Sequence, residues 1–77
     1  MNAQRRKAID AITDKLLELK EELESLRDEE QECYDNLPES LQYSERGEAM
    51  EENVSDLDEA CDELDTVISN LADVIER

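Results

Sequence analysis

Apolar side chains recur along this chain at alternating intervals of three and four residues. Ile9, Ile12, Leu16, Leu19, Leu23, Leu26, Cys33 and Leu37 form a first series, with Glu30 in the one place that breaks it. Met50, Val54, Leu57, Cys61, Leu64, Ile68, Leu71 and Ile75 form a second series without a gap. Such spacing keeps one stripe of an α-helix apolar and places these residues at heptad positions a and d. Between the two series lies NLPESLQYS, residues 36–44. Asn36 can close a helix, Pro38 prevents its simple continuation, and Ser44 can cap the next. The pattern predicts one all-α domain over residues 1–77: a helix over about 4–35, a linker over 36–44 and a helix over about 44–76. Gly47 falls in the first turn of the second helix, where it costs up to ~1 kcal/mol unless close packing requires it.

A register follows if the helices fold back as an antiparallel coiled-coil hairpin, because facing residues then keep a nearly constant index sum. Ile9 with Ile75, Ile12 with Leu71, Leu16 with Ile68, Leu19 with Leu64, Leu23 with Cys61 and Leu26 with Leu57 all sum to 83 or 84. Cys33 with Met50 and Leu37 with Gly47 continue the series. The flanking e positions then bring Lys20 to Asp65 and Arg27 to Asp58, pairs that select register more than they stabilise. Cys33 and Cys61 lie about ten residues apart along the rod, roughly 15 Å at 1.5 Å per residue, too far for a disulfide. Both are read as small core residues in a reducing cytoplasm; an intermolecular disulfide or a reactive thiol is the alternative.

Two helices of this size bury little surface, and neither a disulfide nor a metal is available to help. The second helix has a further apolar edge at Ala60, Val67 and Val74, with Ala72 on its other flank; Ala8 and Ala11 add small residues to the first helix. A homodimeric four-helix bundle with Ala60, Val67 and Val74 in the interface is the expected assembly. The competing reading is a monomer that offers the same edge to a foreign partner.

Composition changes the picture in two ways. The chain has no His, Phe or Trp, which removes His-based nucleophilic triads and His-ligated metals; no enzymatic activity and no cofactor are expected. Its formal charge is −16, the wrong sign for direct nucleic-acid binding, and no segment reads as a membrane span or signal peptide. The charge is also uneven. Residues 1–27 are neutral, whereas residues 28–65 hold sixteen acids against Arg46 alone. Glu29, Glu30, Glu32 and Asp35 crowd the C-terminal turns of the first helix, where the helix dipole disfavours anions. An ordinary solvated face is the alternative reading of these acids; the breach of local rules concentrated in one region favours a functional patch.

The candidate contact surface is therefore the acidic patch Glu29, Glu32, Asp35, Glu45, Glu48, Glu52, Asp56 and Glu59, with Tyr34, Leu41 and Tyr43 at the loop tip as anchors. The bland alternative for Tyr34 and Leu41 is cap packing over the seam and the hairpin end. Carboxylate rows on a rigid rod can imitate nucleic-acid phosphates and enter a basic groove. Asp56, Asp58 and Asp62 have alternating spacing, but the heptad runs straight through them, so no calcium loop is expected.

The linker region NLPESLQYSERGEAMEE, residues 36–52, together with Arg5, Arg6 and Lys7, resembles small acidic helical-hairpin proteins of phages and mobile elements of Gram-positive bacteria. The resemblance implies a host-cell cytoplasmic protein that inhibits a host or anti-phage defence protein. The expected partner has a basic surface, such as a nuclease, CRISPR or restriction component. A structural or adaptor oligomerisation module, working through the apolar edge of helix two, is the alternative.

Overall fold

A computed structural model describes all 77 residues as three helices and no strand: α1 (Ala3–Asp35), α2 (Glu39–Gln42) and α3 (Glu45–Glu76). α1 and α3 pack against each other as a hairpin, a rod measuring 59 × 15 × 12 Å. The ends of each long helix have identifiable causes. Asn2 Oδ1 accepts the Arg5 backbone N–H at 2.8 Å, which satisfies one of the free donors of the first turn. Asn36 ends α1 by donating its N–H to the Glu32 carbonyl at 3.0 Å. Ser44 opens α3, its hydroxyl accepting the Gly47 N–H at 3.4 Å.

The linker is more ordered than its sequence suggests. The Pro38 carbonyl accepts the N–H groups of Leu41 and Gln42 at 2.8 and 3.2 Å, which forms the single turn of α2. The Gln42 side chain then reaches back to the carbonyls of Tyr34 and Leu37 at 3.3 and 3.4 Å and ties this turn to α1. Gly47 is buried against it. A Cβ on Gly47 would lie only 2.6 Å from the Gln42 carbonyl carbon and from the Leu41 oxygen, so close backbone approach requires the glycine.

On α3 the predicted stripe faces α1. Met50, Val54, Leu57, Leu64, Ile68, Leu71 and Ile75 are half-buried, and Cys61 is 2% exposed. On α1 only the a column follows the prediction: Ile9, Leu16, Leu23 and Leu37 are half-buried. Ile12, Leu19 and Leu26, predicted as d-position core, are instead 51, 53 and 54% exposed, and Cys33 is exposed as well. Their places in the seam are taken by Thr13, Lys20, Arg27 and Tyr34.

The physical reason lies in the helix wheel. Positions d and e flank a on opposite sides, so turning e toward the partner turns d away. The cations of the e column meet carboxylates on α3, and their aliphatic stems cover the seam. Thr13 is buried there, its hydroxyl donating to the Ile9 carbonyl at 3.0 Å. Cys61 therefore fits the core assignment and Cys33 does not; both thiols are free. The resulting core is thin: Thr13, Gly47 and Cys61 are the buried residues, and no large side chain is fully covered.

Candidate functional site

Rotation of α1 gives the rod two unlike edges. Along the edge of the e positions, Lys20 Nζ lies 2.6 Å from Asp65 and 3.9 Å from Glu24. Arg27 reaches Asp58 at 2.8 Å and Asp28 at 3.1 Å. These cross-helix pairs, Lys20–Asp65 and Arg27–Asp58, are the ones the register requires. The hydrogen bond to Asp65 holds the Lys20 pKa above its ordinary value, while Asp28 and then Asp58 do the same for Arg27. Farther toward the linker, hydrogen bonding to the Glu51 carboxylate, reinforced by desolvation, raises the Tyr34 hydroxyl to about 12. Arg27, Tyr34, Glu51 and Asp58 line one shallow polar concavity on this edge.

The opposite edge is apolar and open. Leu16, Leu19, Leu23, Leu26 and Leu64 line a shallow groove, with Glu22 at its rim. Ala60, Val67 and Val74 occupy the g positions of α3 on this same side; Val67 is exposed and the other two are half-buried. The apolar edge read from α3 is thus joined by the displaced d column of α1, a contribution the sequence reading missed. Its signal was present in the chain, because cations at Lys20 and Arg27 with acids at Asp65 and Asp58 favour turning e inward. Nearer the linker the edge becomes polar, and Glu30, half-buried in the seam, accepts a 2.8 Å hydrogen bond from Asn53.

The third feature is the acidic half of the rod. The half toward the linker, residues 20–65, holds nineteen acids against Lys20, Arg27 and Arg46; the open half, residues 1–19 and 66–77, is balanced at five of each sign. Glu29, Glu32, Asp35, Glu45, Glu48, Glu52, Asp56 and Glu59 are all exposed, and none joins an ion pair. Asp35 accepts a 2.9 Å hydrogen bond from Gln31. These eight carboxylates do not converge on one face. Most occupy b, c and f positions, which point away from the facing helix, so the two helices project their acids in opposite directions. The half-rod is wrapped in negative charge rather than faced with it.

At the tip, Tyr43 is 78% exposed and Leu41 is exposed too, so Leu41 does not close the hairpin core. Tyr34 is half-buried over the seam, in the position its packing alternative describes. Asp56, Asp58 and Asp62 sit within the unbroken helix α3, and no cluster of His, Cys, Asp or Glu has the arrangement to hold a metal ion. No helix is long and apolar enough to cross a membrane. Compared with family models, curated proteins and solved structures, the chain matches none.

Proposed function

We propose that this protein is a non-enzymatic acidic inhibitor whose linker half occupies a basic groove built for nucleic acid on another protein. The observation that carries this reading is axial charge density. The linker half carries a net −16 over about half of the 59 Å rod, or about one charge per 2 Å. Duplex DNA carries one per about 1.7 Å. Carboxylates projecting to both sides, as phosphates do on a duplex, suit a groove that encloses its ligand. Tyr43 and Leu41 at the exposed tip supply an apolar anchor beyond the charge. The class of target, a host or defence protein such as a nuclease, CRISPR or restriction component, comes from the linker resemblance.

The test is capture of partners from bacterial lysate at about 0.15 M salt, elution by a salt gradient, and competition with duplex DNA. The expected partner elutes at moderate salt and is displaced by the DNA. Changing Glu29, Glu32, Glu48 and Glu52 together to Lys abolishes capture while helicity by circular dichroism is retained. Capture unchanged by those four substitutions overturns the proposal.

A second reading, self-association or adaptor binding through the apolar edge, is favoured by the exposure of Ile12, Leu19 and Leu26 beside Val67. Here Val67→Asp with Val74→Asp removes the function, and substitutions in the acidic half do little.

A further inference from the structure

Resting on the self-association reading, we infer that the apolar edge is covered by a second copy of this chain lying antiparallel, with its acidic half at the opposite end. The apolar column is centred on α1. Leu19 is the middle residue of α1 (Ala3–Asp35), with Ile12 and Leu26 seven residues to either side. The register shown by the Lys20–Asp65 and Arg27–Asp58 pairs puts Val67 at the level of Leu19 to within about one residue, or 1.5 Å. A two-fold axis at that level makes a self-complementary contact. Leu19 meets its own copy, Ile12 meets Leu26 of the second copy, and on α3 Val67 meets Val67 while Ala60 meets Val74.

Charge selects this orientation over the parallel one. Lys15 and Glu22 occupy g positions of α1 beside the leucine column, both are exposed, and neither joins an ion pair within the hairpin. The axis at Leu19 carries Lys15 to within about one residue of Glu22 of the second copy, twice by symmetry. Parallel association would instead align the two linker halves, each at −16, side by side within about one helix diameter. Antiparallel association separates their centres by about 30 Å, half of the 59 Å rod, which is several Debye lengths at physiological salt. Each acidic half then lies beside the balanced half that holds Arg5, Arg6 and Lys7.

The assembly is a rod with a charge-dense tip at each end. Its mass and its orientation can be tested separately. Light scattering across a dilution series should give twice the 8.9 kDa chain mass; monomer at every concentration overturns self-association itself. Orientation is read by spin-labelling the exposed native Cys33 and measuring the distance between copies. The antiparallel axis places the two Cys33 positions about 42 Å apart, and a parallel bundle places them about 14 Å apart. A dimer with the short distance overturns the orientation and leaves self-association standing. Independently, Lys15→Glu alone and Glu22→Lys alone should each weaken dimerisation about tenfold. The two substitutions combined in one chain should restore it to within about threefold. Failure of the combined variant to recover overturns the Lys15–Glu22 contact.

Discussion

Along the edge that carries Lys20 and Arg27, each cation meets a carboxylate of the facing helix; along the edge that carries Leu19 and Leu26, the side chains meet solvent. Both edges belong to the same two helices and arise from one rotation of α1. Turning the e column inward completes the polar contacts of the hairpin and exposes leucines that a heptad count places in its core. Polar complementarity and apolar burial therefore compete for the orientation of α1, and the two helices alone do not satisfy both. A thin hairpin has no third layer to absorb the displaced column, so the column becomes surface.

The difference between the two edges is lost entirely if the hairpin loses its alignment, and the close approach at Gly47 holds that alignment. Gly47→Ala forces a Cβ into the backbone of Leu41 and Gln42, and chemical denaturation should show a loss of about 3 kcal/mol. Next in size is the contrast between neighbouring leucines. Leu23→Ala, in the seam, should cost about 2 kcal/mol, whereas Leu26→Ala should cost under ~1 kcal/mol when measured at concentrations too low for self-association. Equal losses would mean that both columns are core. Smaller still is the effect of Lys20→Gln with Arg27→Gln: the unfolding midpoint falls slightly, and its dependence on salt flattens because the cross-helix pairs are gone.

The smallest effect is one of pH. Folding raises the Tyr34 hydroxyl from 10.0 to about 12, so the folded state holds that proton more tightly than the unfolded chain does. The resulting stabilisation is full below pH 10 and is lost as pH rises toward 12. Tyrosinate absorbance should show a component ionising near pH 12 that Tyr34→Phe removes and Glu51→Gln shifts downward.

Much of the architecture was legible in the chain. α3 has a single apolar stripe, so its seam, its Ser44 cap and its facing surface followed directly from spacing. The Lys20–Asp65 and Arg27–Asp58 pairs followed from the index sum. α1 was ambiguous for a definite reason. Positions 9, 16 and 23 belong equally to a stripe continued by 12, 19 and 26 and to one continued by 13, 20 and 27. Hydrophobicity favours the first and charge pairing the second, and only the facing helix decides between them. Thr13 and Tyr34 entered the seam by that decision. α2 was missed because its single turn is held by the Pro38 carbonyl and the Gln42 side chain rather than by any apolar period. The exposure of the eight candidate carboxylates could be read from sequence, but their division between opposite sides of the rod required the folded helices.

The nearly constant index sum also orders the way the chain comes together. The contact from Gln42 to Tyr34 spans 8 residues, whereas the pair Arg27–Asp58 spans 31. Loop closure over the longer span costs about 1.2 kcal/mol more, from two doublings of length. Once the turn at α2 has formed, however, each later layer closes only the short gap left by the one before it. The molecule should assemble as a zipper from linker to open end and come apart in reverse, with amide exchange slower in the inner turns of α1 and α3 toward the linker than at the chain termini.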